Sequence, residues 1–218
     1  MLRAPFLAAV ASILLCSAMP VVFAAIDTPE QTPSHPAVAV FMDFDSKPED
    51  ASVEVMKKEV EGLLKSSGIA LDWKMLSGNR ETEGSEGLVV VKFRGHCRVE
   101  AWPQPGADEL QTGAQTLGFT RVTDGRVLPF SEIECDHIRK ALTYVAPGST
   151  PMERQKAFGL AMGRVVAHEL YHMLARTTSH AEDGLAKATQ SLRDLITTPA
   201  MTFHEKDSHA IGQAFTGQ

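Results

Sequence analysis

This 218-residue chain is poor in aromatic residues, in cysteine and in positive charge. It has 21 Lys and Arg against 27 Asp and Glu, so the net charge is −6, and the positive residues form no basic patch. Nucleic-acid binding needs clustered positive charge to neutralise phosphates, so we expect no nucleic-acid partner. Only two tyrosines are present, Tyr144 and Tyr171, and the sequence assigns neither of them a catalytic role.

The chain has three cysteines, and Cys16 lies in the apolar N-terminal segment. Neither Cys97 nor Cys135 has a neighbour at the short paired spacing that a cysteine-ligated zinc site needs. In an exported protein an even pair is most simply a disulfide, and the alternative is two buried free thiols.

The first 25 residues differ in kind from the rest. Arg3 gives a short positive region, residues 7–15 are apolar, and Val22-Phe23-Ala24 followed by Ala25 offers small residues for cleavage. This pattern predicts a secretory signal peptide over 1–25, and therefore a secreted or periplasmic protein. The alternative is an uncleaved membrane anchor, but the apolar run is barely long enough and Pro20 interrupts it.

Removal of the signal peptide takes away only Arg3 among the charged residues, so the net charge becomes −7. The remaining 193 residues, 26–218, are enough for one domain with a substantial core. We expect this single domain to make no stable membrane insertion. The oligomeric state is not indicated by the sequence.

Hydrophobic periodicity predicts a mixed α/β (α+β) domain, with a β-sheet packed on helices. The Asp-Gly step within Thr123-Asp124-Gly125 predicts a hairpin between the last two strands. The predicted strands are 37–42, 69–76, 88–93, 117–122 and 126–133. The predicted helices are 48–67, 134–145, 150–175, 185–196 and 208–215.

The predicted helix 150–175 has a well-defined start. Thr150 fits the N-cap, Pro151 fits the first helical position, and Glu153 can complete a capping box. At 1.5 Å per residue the helix would be roughly 38 Å long, enough to cross the domain core.

His168-Glu169-Leu170-Tyr171-His172 lies in the second half of this helix. Residues four apart share one helical face at a separation of about 6 Å, so His168 and His172 can bind one Zn²⁺ together. Glu169 lies beside that face, where a carboxylate can accept a proton from a water. The alternative is two surface histidines with an ordinary acidic neighbour.

A zinc site of this kind needs a third protein ligand, and His180 is the preferred candidate. It follows His172 by eight residues, a chain length that easily folds back onto the helix. The other candidates are Glu182, Asp183 and, further along, His204, Glu205 and His209, and His180 could instead be a solvated loop residue. The isolated His35, His96 and His137 are interpreted as structural or surface residues.

The motif resembles that of the metzincin-like zinc metallopeptidases of the zincin clan, HExxHxxGxxH. His168, Glu169 and His172 match directly, whereas Ala175 stands at the family's Gly and Thr178 at its third His. His180 comes two residues later, and the two extra residues would allow a looser turn that needs no left-handed glycine. The stretch from His168 to Gly184 is also similar to small secreted bacterial proteins grouped with metallopeptidases.

The resemblance implies a zincin-like domain over 26–218 with a long zinc-binding active-site helix. It implies a secreted zinc metallopeptidase, of the endopeptidase class, that acts on a peptide or protein substrate. In it His168, His172 and His180 hold Zn²⁺, Glu169 is the catalytic base, and Met201 is the one candidate for a methionine beneath the metal. The hairpin 117–133 is a candidate for binding an extended peptide by strand addition. One alternative is a non-catalytic zinc-binding protein of the same fold, and another is an accidental motif.

Overall fold

The structure is a computed structural model that describes residues 37–78, 82, 84–99, 116–145, 148–197 and 201–216. The predicted signal peptide and His35 lie outside the described residues. The strands are β1 (Ala37–Phe44), β2 (Ala70–Met75), β3 (Gly87–Arg94), β4 (Gly118–Thr123) and β5 (Arg126–Glu134). The helices are α1 (Asp50–Leu64), followed by a 3₁₀ turn at Lys65–Ser67, then α2 (Cys135–Val145), α3 (Pro151–Leu174), α4 (Leu192–Thr197) and α5 (Glu205–Thr216).

The five strands form one mixed sheet in the order β2-β1-β3-β5-β4. β2, β1, β3 and β5 run parallel, and β4 pairs antiparallel with β5 at the edge. The turn between them uses Asp124 at φ 50° and Gly125 at φ 73°, the left-handed pair that a tight hairpin requires. The predicted mixed sheet packed on helices is therefore confirmed.

One face of the sheet packs against α1 and α3. Alternate residues along β1 and β3, such as Val40 and Val91, belong to the buried core shared with these helices. Residues that are paired across neighbouring strands lie on the same face of the sheet. Val91 on β3 pairs with Ser131 on β5, and Ser131 pairs with Thr120 on β4, so all three side chains face the helices. Thr120 is the last of them, at the edge of the sheet.

α3 is held firmly against its neighbours. At Gly159 a Cβ would lie 2.6 Å from the Ser52 carbonyl oxygen of α1, so the missing side chain allows the two helices to approach closely. The buried Arg164 donates from Nε to Glu59 Oε1 at 2.7 Å and from Nη1 to the Asp194 carbonyl at 2.8 Å. These contacts tie α3 to both α1 and α4, one turn before His168.

Cys97 and Cys135 form a disulfide with an S–S distance of 2.02 Å. It joins the segment after β3 to the first residue of α2, and both cysteines are fully buried. Cys135 Sγ lies 3.9 Å from Met162 Sδ, so the bridge packs directly on α3.

The helix predicted over 185–196 is wrong in its first part, since only Leu192–Thr197 is helical. The main chain at Leu185 is used elsewhere: its N–H donates to the Thr202 carbonyl at 3.0 Å, and its carbonyl accepts from His168 Nδ1 at 2.8 Å. The last helix begins at Glu205, three residues earlier than predicted. Within the described ranges, no helix combines the length and apolar character needed to cross a membrane.

Replacing both cysteines by alanine should lower the free energy of unfolding by about 4 kcal/mol, because the bridge closes a long loop in the unfolded chain. The two cysteines are separated by 38 residues in sequence. Guanidinium titration of the native protein and the double variant would measure the difference. As a control, dithiothreitol should destabilise the native protein and leave the stability of the variant unchanged. Equal guanidinium unfolding midpoints for the variant and the oxidised native protein would contradict the expectation.

Candidate metal centre

The start of α3 is as predicted. The Thr150 hydroxyl accepts from the Glu153 N–H at 3.3 Å, the Glu153 carboxylate accepts from the Thr150 N–H at 2.7 Å, and Pro151 is the first helical residue. This capping box and the 24-residue length place His168 and His172 in the last two turns. The helix ends at Leu174, so the chain turns back immediately after the second histidine.

The turn after α3 brings His180 back to the helix. Ala175 keeps a right-handed conformation at φ −79°, but the next residue, Arg176, takes the left-handed one at φ 50°. The expectation of a turn with no left-handed glycine holds, although the chain does use one left-handed residue. The Thr177 N–H donates to the His172 carbonyl at 3.1 Å and fixes the reversal.

The three predicted histidines come together. His172 Nε2 lies 3.1 Å from His168 Nε2 and 3.2 Å from His180 Nε2. All three ligand atoms lie within 4.8 Å of one another, the one such group of three metal-ligating side chains found among the described residues. Tetrahedral ligands at a zinc–nitrogen distance of 2.0–2.1 Å stand roughly 3.3–3.4 Å apart, close to the spacing seen here.

The other ring nitrogen of two of these histidines faces a main-chain carbonyl. His168 Nδ1 lies 2.8 Å from the Leu185 oxygen, and His172 Nδ1 lies 2.8 Å from the Thr177 oxygen. A carbonyl only accepts, so each Nδ1 carries the proton and each Nε2 presents a lone pair to the common centre. Two lone pairs at 3.1 Å repel each other unless a cation lies between them. The donor set therefore fits a bound metal ion.

Burial favours the neutral form of both of these imidazoles. It lowers the pKa of His168 from 6.5 to about 4; the hydrogen bond to Leu185 opposes the shift and the other two histidines add to it. Burial also lowers the pKa of His172. Neutral imidazole is the form that binds a metal ion.

Glu169 follows His168 directly on α3 and does not belong to the cluster of three histidines. Its side chain is buried, at 4% exposure, and its Oε2 accepts a hydrogen bond of 2.7 Å from the Thr120 hydroxyl on β4. Burial raises the pKa of Glu169 to about 7, against the opposing effect of the Thr120 hydrogen bond. Within the part of the chain that the structure describes, no basic residue forms an ion pair with the Glu169 carboxylate.

Of the other candidate ligands, His209 is exposed on α5 and four line a cleft with His180 without joining the cluster. Asp183 Oδ1 is 2.5 Å from His204 Nε2, and this pair lines an open cleft of about 620 Å³ together with His180, Glu182 and Glu205. The cleft gives solvent access at the exposed third histidine.

The cluster of three histidines does not include Tyr171, Met201, His96 or His137. Tyr171 is buried, its ring centroid lies 5.8 Å from that of Phe203, and burial raises its pKa. Met201 belongs to the buried core. His96 and His137 are away from the cluster, where His96 Nδ1 lies 3.6 Å from Asp136 and His137 Nδ1 lies 2.9 Å from the Thr116 carbonyl.

Sequence reasoning missed Thr120, Leu185 and Thr177, which contact the site. Thr120 reaches Glu169 only through the pairing of β4 with β5, and Leu185 lies in a segment predicted to be helical. No local pattern marks either residue.

Neither the comparison with protein-family models nor that with curated proteins finds a match for this chain. The assignment of the site therefore depends on its residues and their geometry.

Gly118 is required by the close contact between β4 and α3. A Cβ there would lie 2.7 Å from Val165 Cγ1 and 3.2 Å from Glu169 Oε1. We expect Gly118→Ala to lower the free energy of unfolding by about 1–3 kcal/mol, the usual cost of overpacking. The measurement is denaturant unfolding.

Gly62→Ala is the matched control. Gly62 lies on an exposed part of α1, and a Cβ there meets nothing within 4 Å. This variant should be more stable than the native protein by about 0.5–1 kcal/mol, because alanine is the better helix former. A Gly118→Ala variant as stable as Gly62→Ala would contradict the close packing of β4 on α3.

Proposed function

We propose that this protein is a zinc-dependent metallopeptidase that hydrolyses peptide bonds in a peptide or protein substrate. The observation that carries the proposal is the convergence of three imidazole Nε2 atoms, two of them from α3. The residue that follows His168 on this helix, Glu169, has a buried carboxylate. The proposal includes export from the cytoplasm, supported by the predicted signal peptide and by the Cys97–Cys135 disulfide.

The three histidines His168, His172 and His180 would hold the metal ion. An all-imidazole set suits Zn²⁺, and three protein ligands leave a coordination position open. Bound zinc would lower the pKa of a coordinated water and polarise the scissile carbonyl. The main-chain carbonyls of Leu185 and Thr177 would keep the rings oriented, as outer-shell partners of metal-bound histidines do.

Glu169 would be the general base. It would take a proton from the attacking water and later deliver it to the leaving amine. Its burial without a basic partner is costly for a carboxylate that has only a structural role, which favours catalysis.

The edge strand β4 would bind the substrate. Glu134 N–H donates to the Leu117 carbonyl at 2.8 Å, so residues 117 and 134 form a hydrogen-bonded pair of the antiparallel ladder. Such pairs alternate, so the main-chain groups of Gly118 and Thr120 point away from β5. Among the described strands none pairs with this edge, and an extended peptide could add to it.

The alternative is a non-catalytic zinc-binding protein that uses the metal for structure. A structural zinc site is closed by four protein ligands. Here one ligand, His180, is exposed and lines an open cleft, which favours a catalytic site.

The mature protein, residues 26–218, should bind one zinc per chain when stripped with chelator and reloaded. His180→Ala should weaken zinc binding by more than about 100-fold, since loss of an outer-shell partner alone costs 10–100-fold. Elemental analysis and zinc titration are the measurements. His96→Ala, at an exposed histidine outside the cluster, should bind zinc normally. Full zinc in His180→Ala would move the third ligand to another residue, and no zinc in the native protein would overturn the proposal.

Glu169→Gln should keep its zinc and lose about 10²–10⁴-fold in the rate of casein hydrolysis, because the variant has no proton acceptor. Glu182→Gln, an exposed acid of the same cleft, is the control and should retain activity. Zinc binding by the native protein with no hydrolysis of casein or a peptide library would favour the non-catalytic alternative.

A further inference from the structure

We propose that Thr120 is a positioning residue for Glu169, and that it links substrate pairing at β4 to the orientation of this carboxylate. The inference rests on the proposed function and deepens it. The hydroxyl of Thr120 lies 2.7 Å from Glu169 Oε2 and 3.3 Å from the Glu169 carbonyl oxygen. A hydroxyl has one proton to donate, and the side-chain oxygen is the nearer of the two acceptors.

This hydrogen bond restrains the orientation of the carboxylate. Because the hydroxyl donates to Oε2, the carboxylate group does not rotate freely about its last side-chain bond. Threonine suits this role because its β-branched side chain has few χ1 rotamers, so the donor is held at one place.

Packing fixes the carboxylate from its other side. Oε1 of Glu169 would be 3.2 Å from a Cβ at Gly118, so the glycine provides the space that the carboxylate occupies. Gly118 and Thr120 lie two residues apart on β4 and therefore face α3 together. Glu169 is thus held by two positions of the same edge strand.

Thr120 also contributes to the proposed peptide-binding edge. Its side chain faces Glu169, while its N–H and carbonyl point away from β5 toward the open edge. A peptide paired with this edge would restrain the Thr120 main chain, and through it the hydroxyl that orients Glu169. Thr120 would therefore both pair with the substrate through its main chain and orient Glu169 through its side chain.

Four proteins test this role: native, Thr120→Val, Thr120→Ser and Thr189→Val. Valine keeps the shape of threonine without the hydroxyl, and serine keeps the hydroxyl. Thr189→Val makes the same change at an exposed position outside β4. Zinc content, kcat and KM for fluorescein-labelled casein, and the dissociation constant of acetohydroxamic acid are measured for each zinc-loaded protein. Acetohydroxamic acid is the probe because it chelates zinc and gives its proton to a neighbouring base, which needs no turnover.

We expect all four proteins to bind one zinc. Thr120→Val should lose about 10- to 100-fold in kcat, the usual effect of an outer-shell partner, with KM little changed because the main-chain edge is intact. Its affinity for acetohydroxamic acid should fall by about 10-fold or more, since a hydrogen bond to a charged group is lost. Thr120→Ser and Thr189→Val should behave like the native protein.

Two results would overturn the role of Thr120. One is a Thr120→Val variant with native kcat and native affinity for acetohydroxamic acid. The other is a Thr120→Ser variant as impaired as Thr120→Val, which would assign the effect to packing. If Thr120→Val does not fold, Thr120→Ala replaces it in the comparison with serine. A native chain that binds no zinc would instead overturn the proposed function, and the role of Thr120 with it.

Discussion

The site depends on where the Nδ1 protons of two histidines are held. Leu185 and Thr177 offer carbonyl oxygens to His168 and His172, and this forces both Nε2 lone pairs toward the same point. Neither carbonyl comes from α3 itself. The segments that follow the helix must therefore fold back before the histidines on it are oriented. A helix with two histidines four residues apart supplies the spacing, but the chain after it supplies the orientation.

A second constraint comes from the sheet. The strand register places Thr120 beside Ser131 and Gly118 beside Ile133, so both β4 residues face α3. α3 is held in turn by Arg164, which is hydrogen-bonded to Glu59 on α1 and to Asp194 on α4. The position of Glu169 relative to β4 is consequently set by the packing of the whole domain, and neither element alone could define it.

The parts of the site that could be predicted from the sequence are those that depend on residues close together in the chain. The capping box at Thr150 and Glu153, the i, i+4 histidines and the Asp-Gly turn each depend on residues within a few positions of one another. The contribution of Thr120 could not be predicted, because 49 residues separate it from Glu169. The error at residues 185–191 has a similar origin. The amphipathic spacing there favours a helix, but hydrogen bonds with His168 and Thr202 take the main-chain groups that a helix would use.

The turn after the histidine pair has its left-handed residue one position later than the HExxHxxGxxH pattern that the sequence resembles. Ala175 is right-handed, and Arg176 is left-handed with a φ of 50°. A non-glycine residue in this region is strained, and the strain must be offset by contacts nearby. The Thr177 N–H bond to His172 and the His172 Nδ1 bond to the Thr177 carbonyl lie directly after it. The same turn that costs energy at Arg176 therefore orients the His172 imidazole and returns the chain so that His180 completes the cluster.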